Sequence, residues 1–276
     1  MNPQQLEELE FRLLLEGVFE VYGYDFRDYA EASLRRRIRH WLAERRYPSL
    51  SAAQGEILRD RAVFTSFLQG LTVNVSEMFR DPRFFRALRE QIVPFLRTWP
   101  FVRIWVAGCA GGEEAYSLAI LLHEEGLLRR CRIYATDINE AILDRARNGI
   151  FALRDMQTYT RNYQLAGGSG EFADYYQARY DHALMLPALR DNILFSPHNL
   201  AADAEFGEMH LVLCRNVLIY FNPDLKERAL RLFDTALTAG GFLCLGMKET
   251  LEFRSLAASY TEMVKGLRIY RKEYPD

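Results

Sequence analysis

The chain has 276 residues, of which 49% are hydrophobic, and this length suits roughly two domains with buried cores. Its formal net charge of −2 gives no global reason to expect nucleic-acid binding, so any basic surface must be local. The four cysteines lie in or beside apolar runs without a C-x-x-C pair, which indicates buried free thiols in a reducing compartment. The N-terminus lacks a signal-peptide pattern, and no apolar run reaches the ~18–20 residues of a membrane span. We therefore expect a soluble, cytoplasmic protein.

Residues 1–75 are predicted to form a small helical domain, because their apolar residues recur at helical spacing and no alternating strand pattern occurs. The pattern predicts one helix over Leu6–Tyr22 and a second over Ser33–Arg46. It predicts at least one more helix within Ala52–Leu71. Residues 76–100 are predicted to form a linker helix. In it, Asp81 is the expected N-cap, Pro82 belongs to the first turn, and the helix runs over Arg83–Leu96.

From residue 101 to 276 strand and helix patterns alternate, which indicates a parallel α/β sheet. The predicted strands are Val102–Ala107, Arg132–Thr136, Ile193–Pro197, His210–Cys214, Gly241–Leu245 and Leu267–Arg271, and predicted helices include Ala141–Asn148 and Leu225–Thr238. No clear crossover helix separates the last two strands, so we expect an antiparallel pair at the end of the sheet. Residues 155–190 interrupt the alternation with glycines, tyrosines and an alternating stretch, which predicts an inserted β subdomain.

The turn after the first predicted strand carries the strongest functional signal. Gly108, Gly111 and Gly112 are followed by Glu113 and Glu114 and then by an amphipathic helix pattern. A strand, a glycine turn and a helix are typical of a nucleotide-binding start, but two acids would repel the pyrophosphate of a dinucleotide. They favour a cationic ligand such as S-adenosylmethionine. The alternative is an ordinary helix start capped by acids.

Two further strand ends carry candidate ligand-binding residues. Asp137 ends the second strand, where a carboxylate can accept both ribose hydroxyls of an adenosine; alternatively it caps the next helix. Asn199 follows the third strand, and its amide offers a donor and an acceptor to the adenine edge. A turn-forming asparagine is an equally good interpretation.

Arg215, Asn216 and Tyr220 follow the fourth strand, at the sheet edge where ligands bind. The Pro-Pro motif that cradles an amino group in many methyltransferases is absent, and an arginine suits an anionic acceptor or the carboxylate of methionine instead. The alternative is a solvated helix start.

A second candidate anion site lies in the linker. Arg80, with Asn74 and Ser76 before it, could bind a carboxylate. The alternative is a capped helix that buries its apolar residues, Met78, Phe79, Phe84 and Phe85.

The second predicted helix is locally basic, with His40 and Trp41 among its arginines: Arg35, Arg36, Arg37, Arg39, Arg45 and Arg46. Such a helix would attract an acidic helix, a phosphate-rich surface or RNA. A solvated helix face is the alternative.

Together these residues resemble the CheR family of chemotaxis-receptor glutamate O-methyltransferases over nearly the whole chain. The stretch Asn74–Arg80 is similar to the family's N-x-T-x-F-F-R element, and Trp105–Leu118 to its AGCATGEEPYS loop. ATDIN, Asn199-Leu200 and LCRNVLIYF follow in the same order and at similar spacing. The departures are Ser76 for threonine, Met78 for phenylalanine, and Gly111 and Ala115 for the loop's Thr and Pro.

The resemblance implies a Rossmann-like methyltransferase sheet with a small all-helical N-terminal domain and an inserted β subdomain. It implies S-adenosylmethionine as cofactor, without a metal, and S-adenosylhomocysteine as product. The implied cofactor contacts are Asn74, Ser76, Arg80, Glu113, Asp137, Asn199, Leu200, Arg215 and Asn216. It also implies that the basic helix, through Arg35, Arg36 and Arg39, faces acidic methylation helices of chemoreceptors, and that the β subdomain can bind a tethering peptide at the receptor's C-terminus.

The expected reaction is transfer of a methyl group to a glutamate carboxylate, with Arg80 on the cofactor's carboxylate and Tyr220 as an orienting hydroxyl. Two alternatives remain at this stage. One is a methyltransferase for another acceptor, RNA or a small acid, and the other is a non-catalytic module that binds S-adenosylmethionine or its product as a signal.

Overall fold

The computed structural model describes residues 2–72, 76–251, 256 and 258–274. These residues divide into two compact units. The first unit contains the described residues of 1–74 together with 199–204 and 218–229, and the second contains the rest. No helix among the described residues is long and apolar enough to cross a membrane.

The first unit is built from four helices: α1 (Pro3–Tyr22), α2 (Glu31–Arg45), α3 (Leu50–Arg59) and α4 (Arg61–Leu71). The sequence fixes their ends, since Asn2 forms a capping box with Gln5 and Gly23 ends α1 in the left-handed conformation. The predicted third helical region is two helices, because the Asp60 side chain caps α4 directly after α3 ends. Their apolar faces form a buried core, with Leu14, Val18, Ile38, Ile57, Phe64 and Phe67 at its centre.

A nearly continuous helix opens the second unit. It consists of α5 (Pro82–Ala87), a π-helical segment (Leu88–Ile92) and α6 (Val93–Leu96). The prediction of a helix over this region is confirmed, and the π-helical segment is an addition that the apolar spacing did not indicate. The helix lies within the hydrophobic core of the second unit.

The remaining helices and strands of the second unit alternate along the chain. The helices are α7 (Glu113–Glu124), α8 (Glu140–Asn148), α9 (Met156–Leu165), α10 (Pro187–Arg190) and α11 (Pro223–Ala236), the last of which begins in the first unit. The strands are β1 (Val102–Ala107), β2 (Cys131–Asp137), β3 (Ile150–Ala152), β4 (Tyr176–Arg179), β5 (His182–Met185), β6 (Ile193–Pro197), β7 (Met209–Cys214), β8 (Leu237–Leu245), β9 (Tyr260–Val264) and β10 (Ile269–Lys272).

Seven of these strands form the main sheet, in the order β6-β2-β1-β7-β8-β10-β9. The pairs up to β8 are parallel, whereas β10 pairs antiparallel with β8 and with β9. The predicted antiparallel ending is therefore confirmed. One boundary is wrong: Leu237 and Thr238 were predicted as helix but belong to β8, where Leu237 pairs with Met209 of β7. Pairing with a neighbouring strand here overrides the local helical pattern.

A second, antiparallel sheet has the order β3-β5-β4. Its hairpin, β4 and β5, turns at Tyr180, which has a φ of 54° and is fully exposed. The helix α9 precedes the hairpin and was not predicted. Its buried residues Met156, Tyr159 and Tyr163 do recur at helical spacing, but tyrosines favour strands in a local interpretation.

Candidate functional site

The turn between β1 and α7 requires glycine at its first position. Gly108 has a φ of 72°, and a Cβ added there would lie 2.4 Å from Cγ2 of Val217. Gly112 is also left-handed, at 91°, and stands at the N-cap of α7. At Gly111 a Cβ would lie 2.8 Å from Oε1 of Glu113. Glycine at this position therefore leaves room for the Glu113 carboxylate to lie close to the turn.

Asp137 lies at the end of β2, beside this turn. One carboxylate oxygen accepts the N–H of Ala110 at 2.9 Å, and the other accepts the N–H of Asn139 at 3.0 Å. Burial raises its pKa, and these backbone hydrogen bonds oppose the rise. The interpretation of Asp137 as the cap of the next helix is wrong, because the side chain of Asn139 caps α8. A carboxylate has about four acceptor sites, and the backbone N–H groups of Ala110, Asn139 and Ile138 use at most three, so Asp137 can still accept a hydrogen bond from a ligand hydroxyl.

Glu113 lies in the first turn of α7 and is 8% exposed. Its Oε2 has no hydrogen-bond partner among the residues that the structure describes. Burial raises the pKa of this carboxyl to about 7, with Arg145 opposing the shift and Asp155 adding to it. A buried polar atom without a partner is unusual in folded proteins and is one sign of a missing ligand.

Arg215 is fully buried and bridges two carboxylates. Its side chain is 1% exposed, and its two terminal nitrogens lie 2.7 Å from an oxygen of Asp81 and 2.7 Å from an oxygen of Glu114. The same nitrogens reach the carbonyl oxygen of Arg80 at 3.4 Å, and the guanidinium stacks 3.9 Å over the ring of Phe84. Burial raises the pKa of Glu114, and Arg215 opposes that shift. This group, which we name the Arg215 junction, joins the start of α5 to the start of α7.

The Arg215 junction corrects the prediction for Asp81. Asp81 occupies the N-cap position of α5, but its side chain makes no capping hydrogen bond and its φ is 60°. Its carboxylate binds the buried guanidinium instead, in a hydrogen bond in which both the donor and the acceptor are charged.

Asn216 follows Arg215 and also has a left-handed backbone, with a φ of 62°. Its N–H donates to Oε2 of Glu249 at 3.0 Å, and the same oxygen accepts the N–H of Gly246 at 2.6 Å. Glu249 is 4% exposed and therefore fixes the chain after both β7 and β8. Sequence reasoning missed Glu249; the only signal is an acid shortly after the glycine that ends a buried strand.

The segment before α5 is hydrogen-bonded to α7. Phe79 has a φ of 53°, and its N–H donates to Oγ of Ser117, which itself donates to the carbonyl oxygen of Glu113. Ser76 is partly buried and Arg80 is exposed. Asn74 lies outside the described residues.

Strained backbone is concentrated in this part of the chain. Seven non-glycine residues in the described part have positive φ, and four of them belong to the segments above: Phe79, Asp81, Ala110 and Asn216. Strained positions cluster at ligand sites when the surrounding structure holds them in place. We therefore take the glycine turn, Asp137, Glu113, the Arg215 junction and Glu249 as the candidate site of the second unit. In the described part, no group of three or more metal-ligating side chains occurs.

Asn199, Leu200 and Tyr220 belong to the first unit. Asn199 directly follows His198 and accepts the N–H of Ala201 at 3.0 Å through its side-chain oxygen, so it forms the turn that the alternative interpretation proposed. Leu200 is buried. Tyr220 is partly buried, and its carbonyl oxygen accepts the N–H of Ala30 at 2.7 Å.

The arginines of α2 are in different environments, although the sequence gives them one pattern. Arg35 is paired with Glu8 at 2.9 Å and with Glu31 at 2.6 Å, and Arg39 is paired with Glu7 at 2.7 Å. Arg36 is exposed and makes no ion pair with any residue that the structure describes. Glutamates of α1 thus neutralise part of the basic face.

Comparison with known proteins places the chain in a family. Residues 74–265 match the model of the CheR methyltransferase SAM-binding domain, and residues 9–72 match that of the CheR methyltransferase all-alpha domain. The chain belongs to the CheR methyltransferase family. Both the resemblance and the fold class predicted from the sequence, a Rossmann-like methyltransferase sheet with an all-helical front domain, are thereby confirmed.

Relatives agree with this assignment. The chain is 51% identical to "Putative methyltransferase Cher3" of Pseudomonas putida, over 99% of this chain and 100% of that protein. It is 32% identical to a chemotaxis protein methyltransferase of Listeria monocytogenes, over 83% of this chain and 85% of that protein. Among solved structures, the glycopeptide N-methyltransferase MtfA complexed with sinefungin is similar over 73% of this chain and 60% of its own, at 11% identity and a TM-score of 0.37.

Proposed function

We propose that this CheR-family chain transfers the methyl group of S-adenosylmethionine to glutamate side chains of chemoreceptors, which gives glutamate methyl esters and S-adenosylhomocysteine. The observation that supports the donor most strongly is the buried Glu113 carboxylate, whose Oε2 has no partner among the described residues. Such an oxygen favours a cationic ligand, and S-adenosylmethionine carries an ammonium and a sulfonium group. The similarity to chemotaxis protein methyltransferases supports a receptor of chemotaxis as the acceptor.

The chain's residues fit the parts of this donor. The spare lone pairs of Asp137 suit the ribose hydroxyls, Glu113 suits the ammonium group, and the exposed guanidinium of Arg80 suits the carboxylate. Because the guanidinium of Arg215 already binds two carboxylates, we assign it a supporting role beside Asn216. The other proposed contacts are Asn74, Ser76, Asn199 and Leu200.

The proposed reaction needs no general base. When bound, the donor supplies a methyl group on a positively charged sulfur. A glutamate carboxylate has an ordinary pKa of about 4.3 and is ionised near neutral pH, so no proton has to be removed from it. The chain's task is to align the acceptor and to exclude water, and positioning can contribute roughly 7–11 kcal/mol. We propose that the Tyr220 hydroxyl orients the acceptor carboxylate.

We propose that the acceptor helix docks on α2. Arg36 offers an exposed charge, and an acidic helix would compete with Glu7 and Glu8 for Arg39 and Arg35. The exposed hairpin of β4 and β5 is the proposed place for a tethering peptide from the receptor's C-terminus.

The test is incubation of the protein with methyl-labelled S-adenosylmethionine and receptor-containing membranes. We expect label on the receptor that mild alkali releases as volatile methanol, the property of a methyl ester. Asp137→Asn should abolish labelling through loss of donor binding. Arg36→Gln should lower labelling while donor binding, measured by calorimetry, stays unchanged.

Three outcomes would contradict the proposal. Alkali-stable label would indicate another acceptor group, and label on co-purified RNA would indicate a nucleic-acid methyltransferase. Tight donor binding without transfer to any receptor tested would indicate a non-catalytic binding module.

A further inference from the structure

The segment that carries Tyr220 is paired with the residues that lead into α2. The N–H of Ala30 donates to the carbonyl oxygen of Tyr220 at 2.7 Å, and the N–H of Asn222 donates to the carbonyl oxygen of Asp28 at 2.9 Å. Between them, Tyr29 and Phe221 form an isolated antiparallel bridge, and their rings meet edge to face at 5.0 Å. The main chain of Tyr220 is thus fixed to the N-terminus of the basic helix.

Arg37 fixes the side chain of the same tyrosine. Its guanidinium carbon lies 4.6 Å from the centre of the Tyr220 ring, the geometry of a cation–π contact. The guanidinium is itself held, because Nη1 donates to the carbonyl oxygen of Leu71 at 2.6 Å. One face of the ring therefore rests on a group that cannot move freely.

Arg37 differs from Arg35, Arg36 and Arg39 in its partners, which are the Tyr220 ring and the carbonyl oxygen of Leu71. Arg35 and Arg39 pair with carboxylates of α1, and Arg36 is exposed. Residues on one helix turn point about 100° apart, so the run of arginines presents several faces. Only part of this run is available for docking, and Arg37 points toward Tyr220 instead.

We infer that Arg37 is a positioning residue that sets the orientation of the Tyr220 hydroxyl and thereby links the docking helix to the methyl-transfer step. This inference rests on the proposed function, in which Tyr220 orients the acceptor carboxylate. Tyr220 is held at two points: its main chain by a hydrogen bond from Ala30, and one face of its ring by Arg37. Loss of the guanidinium leaves the ring free to rotate about its side-chain bonds, and the hydroxyl at its end then samples several positions.

The kinetic test is a double-mutant cycle of Arg37→Met with Tyr220→Phe. Methionine keeps the apolar stem of Arg37 without the charge, and phenylalanine keeps the ring without the hydroxyl. We expect Arg37→Met to lower kcat for receptor methylation roughly two- to tenfold, in line with a cation–π contact, and to leave the affinity for S-adenosylmethionine unchanged. In the Tyr220→Phe background the same change should have no further effect on kcat.

The matched control is Arg46→Asn. It removes one positive charge from the end of α2, where Arg46 is exposed with a left-handed backbone that asparagine tolerates. It should leave kcat unchanged. If Arg37→Met fails to fold, Arg37→Lys takes its place and should retain part of the rate. Additive effects of the two changes, or an effect of Arg37→Met confined to KM for the receptor, would overturn the inference.

A second measurement does not depend on activity. In protein labelled with 3-fluorotyrosine, the fluorine signal of Tyr220 is identified by its absence in Tyr220→Phe. We expect Arg37→Met to shift or broaden this signal and Arg46→Asn to leave it unchanged; an unchanged signal in Arg37→Met would overturn the inference. Failure of the wild-type protein to form methyl esters would contradict the proposed function instead, so the two failures are distinguishable.

Discussion

At the residue scale, the candidate site depends on how its acidic side chains are hydrogen-bonded. Glu113 is a buried acid and Asp137 a partly buried one. Backbone N–H groups, among them those of Ala110 and Asn139, donate to Asp137, whereas Oε2 of Glu113 has no partner among the described residues. Burial therefore raises the pKa of Glu113 to about 7, which makes this group sensitive to its ligand and to pH.

This difference predicts a pH dependence of donor binding. The raised pKa means that Glu113 is protonated below about pH 7 in the free protein, and only its ionised form attracts a cation. We expect the affinity for S-adenosylmethionine to rise between pH 5.5 and 7 and then level off, as measured by equilibrium dialysis with labelled donor. Glu113→Gln should bind roughly ten- to a hundredfold more weakly, with no such rise.

The control for this prediction is Glu90→Gln, which removes an exposed acid of the second unit without an ion pair to the described residues. It should leave both the affinity and its pH profile unchanged. A rise of the same size in Glu113→Gln would assign the titration to another group.

The Arg215 junction predicts a large effect on stability. Arg215→Gln would leave the carboxylates of Asp81 and Glu114 without their buried partner. Breaking a buried pair costs about 3–5 kcal/mol, whereas Arg97→Gln, which breaks a more exposed pair with Glu125, should cost at most about 1 kcal/mol. Urea denaturation followed by circular dichroism measures both, and equal losses would show that the junction does not stabilise the fold.

At the element scale, the turn between β1 and α7 is the most constrained connection. Gly108→Ala places a methyl group against Val217 and in a left-handed backbone, and we expect a loss of about 2–4 kcal/mol in the free energy of unfolding. Gly126→Ala is the matched control, because Gly126 has a φ of 68° with open space around it. It should lose only about 1 kcal/mol.

A second change separates the clash from the backbone strain. Val217→Ala should restore part of the stability lost in Gly108→Ala, since it removes the atom that the new methyl group meets. Thermal unfolding of the wild type, of Gly108→Ala, of Val217→Ala and of the double variant gives this comparison. Equal losses for Gly108→Ala and Gly126→Ala would mean that Val217 does not constrain the turn.

Glu124, at the end of α7, anchors the glycine-rich loop of the inserted segment. Its Oε1 accepts the hydroxyl of Tyr163 at 2.5 Å and the N–H of Ser169 at 2.9 Å, and its Oε2 pairs with Arg89. Burial alone would raise the pKa of Glu124, but these hydrogen bonds outweigh it and lower the pKa to about 2.

The lowered pKa of Glu124 determines how its contribution to the free energy of unfolding changes with pH. The stabilising contribution of Glu124 is complete above the ordinary pKa of about 4.5 and is lost as the pH falls toward 2. We expect Glu124→Gln to be less stable than the wild type at pH 6 and the difference to shrink at pH 3, as measured by urea unfolding at both pH values. A difference that grew in acid would contradict this account.

The strand and helix pattern could be predicted from the sequence where local signals agree. Apolar runs located β1, β2 and β7 within one residue at most, because a buried parallel strand is largely apolar. The start of β8 was missed because pairing with β7 overrides the local helical pattern there. Helix α9 was missed because its tyrosines favour a strand in a local interpretation.

The candidate site was predictable only in part, for a similar reason. Asp137 and Glu113 stand at positions that the strand ends define, so the sequence locates them. The partner of Arg215 at Asp81 is separated from it by more than 130 positions, and Glu249 acts on Asn216 from another strand end. Such contacts depend on the folded arrangement, and no local spacing indicates them.

At the scale of the whole molecule, a nearly neutral chain carries a local basic cluster in one unit and a local acidic cluster in the other. The net charge is only −2, yet the basic helix α2 belongs to the first unit, whereas Glu113, Glu114, Asp137 and Glu249 belong to the second. These two clusters support the proposed function, in which α2 docks an acidic acceptor and the acidic turn binds a cationic donor.

The central claim is that the acidic turn of the second unit selects a cationic donor over a nucleotide that carries phosphates. Titration calorimetry with S-adenosylmethionine and, in parallel, with NAD tests it most directly. We predict saturable binding of S-adenosylmethionine, no detectable binding of NAD, and loss of the S-adenosylmethionine signal in Asp137→Asn. Binding of NAD at equal or higher affinity, or unchanged S-adenosylmethionine binding in that variant, would contradict the account.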